Sequence, residues 1–335
     1  MIILNRRGIL IGAAASVASG TAVYSQVRKG SSTAAEAPVA VAPAPQPAAV
    51  TVEIQPAAVV APAPSPIVAP EPPPAPAPPT VAATVAPPRW QRYAVARPHQ
   101  VDRPAITIVI DDLGVVHPAT ERVVAMPGPL TLSWFPFAKN LPAQVAAAAA
   151  RGHEMTLHMP MQSNGNTIAW TGPDPLRIDL SDSVNLARLR AAIEAVPQTV
   201  GLNNHMGSVA TKDAALMALV AKESKAHDML FLDSVVVAHS YGYSAAHEAG
   251  VPAAARDIFI DHSPDPKIIR EQLAQIESYS RRHGHVIAIG HPWPHTVAAL
   301  EEWLPTLPGK GFSLWPLSAM VARRNDLKMP DNLQS

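Results

Sequence analysis

Between residues 103 and 320 short apolar runs alternate with stretches of helical periodicity. Ile106-Thr107-Ile108-Val109-Ile110 is almost entirely β-branched, the pattern of a strand buried on both faces. Comparable runs predict strands over 130–135, 155–158, 199–202, 230–232, 258–260 and 286–289, with 312–315 as an edge piece. Between them, Leu186, Leu189, Ile193 and Val196 recur at helical spacing behind Ser181 and Ser183, either of which can cap. Thr211 can cap a helix carrying Leu216, Leu219 and Val220. Asp265-Pro266 opens a third helix with Ile269, Leu273 and Ile276, which Gly284 ends. Regular βα alternation implies parallel strands with helices outside, hence a barrel or a doubly wound sheet. Seven strands suit an incomplete barrel.

Ahead of these elements the pattern stops. About half of the 37 prolines fall between residues 31 and 100, mixed with Ala and Val and almost no charge. Proline fixes φ and removes backbone donors, so this stretch reads as an extended spacer or as low-complexity filler, and builds no core. Earlier still, Asn5-Arg6-Arg7-Gly8-Ile9-Leu10-Ile11 leads into an uncharged run to Gln26, the layout of an export signal. The Arg-Arg pair followed by Ile9-Leu10 is similar to a twin-arginine signal. Cleavage is expected near residues 22–25, with an uncleaved membrane anchor as the alternative. The chain thus divides into a signal or anchor over 1–29, a Pro/Ala-rich disordered linker over 30–102, a folded domain over 103–322 and a tail over 323–335. There are no cysteines and the formal net charge is +0. The domain must therefore be stabilised by its core alone, and no basic cluster invites nucleic acid.

Parallel strands bring the residues that follow them to one face, and here most such ends are polar. The first strand ends in Asp111-Asp112, where two adjacent carboxylates call for a cation or a shared proton, or else form a turn with a solvated neighbour. Later strands lead into His158, Asn203-Asn204-His205, Asp233 and His291. One histidine beside an apolar run is commonly a core residue bonded to a carbonyl. Several at once are harder to dismiss, because two His and one Asp with open positions make a usual site for a catalytic divalent metal.

Five motifs carry a specific resemblance: Ile110-Asp111-Asp112-Leu113-Gly114, Gly152-His153-Glu154 with Leu157-His158-Met159-Pro160-Met161, Asn203-Asn204-His205-Met206-Gly207-Ser208, Phe231-Leu232-Asp233-Ser234 and Ile289-Gly290-His291-Pro292. On these the sequence resembles the divergent polysaccharide deacetylases, a distant branch of the NodB-type carbohydrate esterases, whose fold is an irregular seven-stranded (β/α) barrel. The resemblance implies Asp111 as general base, Asp112 and His158 as metal ligands, His291 as general acid and Asp233 as a group that orients a catalytic residue. Ordinary NodB-type enzymes carry a second motif histidine four residues after the first, where this chain has Gln162. His205 is expected to replace it. The implied cofactor is a divalent metal, zinc by its mixed nitrogen and oxygen ligands.

The implied activity is metal-dependent removal of N-acetyl groups from an N-acetylated polysaccharide, peptidoglycan or exopolysaccharide, outside the cytoplasm. The protein would be periplasmic, or anchored in the inner membrane facing the periplasm. A barrel that binds cell-wall glycan or an envelope protein without catalysis is the alternative, kept open by Gln162. Asn204 and Trp293 are the expected substrate contacts, Trp293 by stacking on a sugar.

Overall fold

Among the described residues nine strands pair in parallel throughout: β1 (Ala105–Leu113), β2 (Thr131–Trp134), β3 (Glu154–Met161), β4 (Thr199–Met206), β5 (Leu230–Asp233), β6 (Ala253–Ala255), β7 (Ile258–Phe259), β8 (His285–Gly290) and β9 (Ser313–Leu314). The computed structural model describes residues 86–98, 102–165 and 171–330. The expected signal and most of the expected linker lie outside them. The sheet order is β6-β5-β4-β3-β2-β1-β8-β7, with β9 added at the start of β1. Only Arg256 and Asp257 separate β6 from β7, yet β6 pairs with β5 while β7 pairs with β8. One segment thus links the two ends of the sheet, and counted as one interrupted strand it makes the seventh stave of an irregular (β/α) barrel.

Two cores follow from strand alternation. Ile106, Ile108 and Ile110 join Leu189, Ile193, Val220, Ile269 and Leu273 of the helices, whereas Ala105 and Val109 join Leu232, Ile287, Ile289, Trp315 and Met320. Successive side chains point to opposite faces, so the first core is the sheet–helix layer and the second fills the lumen.

The end of the barrel where the strands begin is plugged. Leu317 N donates to Thr131 Oγ1 at 3.0 Å and Ser318 N to Glu154 Oε1 at 2.9 Å, which seats the helix Leu317–Arg324 across that end. Trp90, on the short helix Arg89–Arg92, is buried in the same lumen core, and Met329 joins it. Both residues correct the boundaries expected from composition. Composition assigns residues 86–98 to the linker and Met329 to the tail, but a single Trp among prolines is invisible to a composition count and still fills a barrel end. Chemistry is left to the opposite, open end.

The helices follow their caps. Ser181 Oγ accepts from Val184 N at the start of Asp182–Ala195, and Asp265 Oδ1 accepts from Lys267 N at the start of Pro266–His283. Gly284 ends that last helix with φ of 78°, a left-handed conformation that favours glycine. Ala214–Ala226 is capped by Asp213, whose Oδ1 accepts from Leu216 N at 2.8 Å, rather than by Thr211, which lies earlier in the 3-10 turn Ala210–Lys212. β3 and β4 run on to Met161 and Met206, past the expected ends at 158 and 202.

Candidate active site

β1 aims Ala105, Thr107, Val109 and Asp111 into the lumen by period two. The same alternation would send Asp112 outward. It does not, because β1 carries one extra residue here: pairing with β2 passes from Ile110↔Leu132 to Leu113↔Trp134. Asp112 sits in this bulge with φ of 59°, a conformation Asp tolerates better than most residues. Both carboxylates therefore reach the open end of the barrel, inside a strand that runs on to Leu113 rather than stopping before them.

There Asp112 Oδ1, His158 Nε2 and His205 Nδ1 form a triangle with all three sides 3.1 Å. The Nδ1 of His158 lies 2.9 Å from Asn203 Oδ1, an acceptor, so the proton is on Nδ1 and the Nε2 lone pair points into the triangle. Asp112 Oδ1 is buried and satisfied by no well-aligned hydrogen bond. Three ligand atoms converging this closely make a place that a cation can fill. The spacing fits as well, since neighbouring ligands on a tetrahedral ion with bonds of about 2.1 Å stand about 3.4 Å apart. Among the described residues this is the one set of three His or carboxylate groups with ligand atoms so close. Its electrostatics agree. Burial opposes the charge on Asp112, but His158, His205 and His291 outweigh it and hold the carboxyl well below its ordinary range.

Asp111 is buried beside the triangle, its Oδ2 3.8 Å from His158 Nε2. Asn203 Nδ2 donates to both its oxygens, at 2.8 and 3.0 Å. From the end of β8, His291 faces the same cavity of about 370 Å³, which Asp111, His158, His205, Arg256 and Phe259 also line. Its Nδ1 lies 2.9 Å from Asp261 Oδ1, while Asp261 Oδ2 accepts from His291 N at 2.7 Å and Thr296 Oγ1 at 2.8 Å. Burial lowers the His291 pKa, but the hydrogen bond and charge of Asp261, helped by Asp112 and Asp111, push it up to about 9. The ring of Trp293 stacks on His291 with centroids 5.1 Å apart and an interplanar angle of 19°, and remains 40% exposed.

Of the expected site residues, Asp233 lies on the other face of its strand, and Asn204 lines the cavity with its amide tied to the backbone. The hydrogen bonds of Asp233 come from its own loop and the helix Gly242–Glu248: Val235 N at 2.8 Å, Ser240 Oγ at 2.7 Å and Tyr243 N at 3.0 Å. The carboxylate on His291 is Asp261 instead; from the sequence, Asp261 follows a predicted strand and fits the shared face and a simple turn equally well. Asn204 donates to Met206 O at 2.8 Å and accepts from Ser234 N at 2.9 Å, so its amide shapes the cavity wall with both ends engaged. Its neighbour Asn203 is the amide that faces the centre of the site, and strand parity is the signal that separates the two. Gln162 Oε1 accepts from Ile178 N at 2.9 Å, a loop contact outside the triangle.

The family described as divergent polysaccharide deacetylase matches residues 108–321, a span that holds every residue of this site. An uncharacterised protein of Haemophilus influenzae is 34% identical over 203 residues, covering 61% of this chain and 72% of that protein. The uncharacterised protein YibQ of Escherichia coli is 33% identical over 203 residues, 61% of this chain and 63% of YibQ. A crystal structure of an uncharacterised protein of Agrobacterium tumefaciens shares the fold with a TM-score of 0.65 at 23% identity, covering 69% of this chain and 94% of that one. With most of its folded domain matched, the chain belongs to the divergent polysaccharide deacetylase family.

Proposed function

We propose that the protein is a divalent-metal-dependent hydrolase that removes N-acetyl groups from an extracytoplasmic polysaccharide, peptidoglycan or an exopolysaccharide, cleaving amide rather than peptide bonds. The observation that carries this reading is the 3.1 Å triangle of Asp112, His158 and His205 with Asp111 beside it and His291 facing the same cavity. When bound, a divalent ion, zinc by this ligand set, polarises an acetamide carbonyl and acidifies water. Asp111 takes the proton of the attacking water, and His291 delivers one to the departing amine. The raised pKa of His291 keeps that proton in place at neutral pH. Asp261 holds the imidazole from its far nitrogen, and the exposed face of Trp293 offers a platform for a sugar ring.

The basic start of the chain, Arg6-Arg7 before an apolar run, supports export to the compartment where such polymers lie. Acetate release from chitin oligomers and from peptidoglycan, measured for zinc-loaded and chelator-treated protein, tests the activity. Release that depends on the ion is expected. Zinc-loaded protein that binds one of these glycans and releases no acetate overturns the hydrolase in favour of a glycan-binding barrel.

A further inference from the structure

Asn203 occupies the centre of the lumen beneath the triangle, wholly buried and in contact with four other segments of the barrel. Its Oδ1 accepts from Ser133 Oγ at 2.5 Å and lies 2.9 Å from His158 Nδ1. Its Nδ2 donates to both oxygens of Asp111 and, at 3.2 Å, to Ser234 Oγ. An amide offers two donors and two acceptor sites, and here all are engaged. Its orientation follows from its partners. An ionised carboxylate only accepts, so the NH2 end must face Asp111, and the carbonyl then faces His158 and requires a proton on Nδ1.

We infer that Asn203 is a positioning residue with two functions, resting on the reading of the site given above. Through its carbonyl it fixes the His158 tautomer that leaves Nε2 free to bind an ion. Through its NH2 it holds the Asp111 carboxylate in the rotamer that borders the cavity. Asn presents a donor to one partner and an acceptor to the other without ionising; ionised Asp and Glu lack the donor, and Gln is longer by one methylene.

The two functions separate by mutation. Asn203→Ala removes both, and partners of a metal-bound imidazole typically contribute about 10- to 100-fold in affinity. Zinc affinity, read by chelator competition, should fall by that factor, and the visible absorption of the Co2+-loaded protein should change. Asn203→Asp keeps the acceptor for His158 but sets a second carboxylate against Asp111. It should retain zinc within a few fold while acetate release falls at least about tenfold. Thermal midpoints of both variants accompany these measurements, and the nearly isosteric Asn203→Asp carries the test if Asn203→Ala does not fold. Wild-type zinc affinity in Asn203→Ala overturns the ligand-orienting function. Wild-type acetate release in Asn203→Asp overturns the other. A wild-type protein that takes up no divalent ion overturns the reading of the site itself and this inference with it.

Discussion

Asp261 Oδ1 stands 2.9 Å from His291 Nδ1, a pair formed between residues 30 positions apart that the barrel brings to one end. The fully buried Asp261 also holds the His291 backbone and Thr296, so it sets both where the imidazole sits and which nitrogen faces the cavity. Asp261→Asn should bring the His291 pKa down from about 9 toward its ordinary value. If His291 gives up a proton in the reaction, the alkaline limb of the rate profile moves to lower pH by a comparable amount. Asp233→Asn should leave that limb in place, because its hydrogen bonds lie in its own loop and the following helix. A pH–rate profile of both variants checks the contrast.

Replacing His205 removes one corner of the 3.1 Å triangle. His205→Ala should lose stoichiometric zinc, whereas Gln162→Ala should keep it, since the Gln162 carboxamide is bound to Ile178 N. Elemental analysis of the two purified variants decides between them. Full occupancy in His205→Ala would mean that the ion is held elsewhere.

Much of this arrangement was legible in the sequence, for identifiable reasons. β-branched runs marked β1, and the polar residues at the ends of β1, β3, β4 and β8 pointed to one face before any coordinates did. The misses have physical causes too. Ala253–Ala255 lacks every residue type that signals a strand and is one only because it lies against β5. Asn203 and Asn204 look equivalent in a motif, and only the pleat sends one to the lumen. Asp261 fits a turn and the shared face equally well in the sequence, and only the fold places it beside His291. Trp90 was hidden by the prolines around it.

Trp90 gives the third prediction. It lies in the lumen core with Trp315 and Met320, and its backbone N donates to Asp228 O at 3.0 Å. Truncating a buried aromatic typically costs about 3–5 kcal/mol. Trp90→Ala, or a chain begun at Arg103, should therefore unfold at clearly lower urea concentration than one begun at Ala86. Equal midpoints would show that the plug contributes no stability.

Asp111→Asn should keep zinc, because Asp111 lies outside the triangle, and should lose about a hundredfold to ten-thousandfold in acetate release if it is the base. Zinc content and single-turnover acetate release from the same sample give the comparison. Activity within a few fold of wild type would remove Asp111 from the chemistry.

Glu154 offers a test at the plugged end, away from the site. Burial pushes its carboxyl up to about 7, and the bonds from Ser318, Val95 and Thr131 only partly offset this. A carboxyl raised in the folded state binds its proton more tightly there than in the unfolded chain. Its contribution is therefore full below about 4.5, its ordinary value, and is lost as the pH rises through 7. His291, raised from 6.5 to about 9, acts in the same direction in a later window. Glu154→Gln should abolish the decline between pH 4.5 and 7 while leaving the one between 6.5 and 9. Urea midpoints at pH 4.5, 7 and 9 for wild type and variant measure both windows. A wild-type midpoint that rises from pH 4.5 to 7 in step with that of Glu154→Gln would show that Glu154 is not the group titrating there.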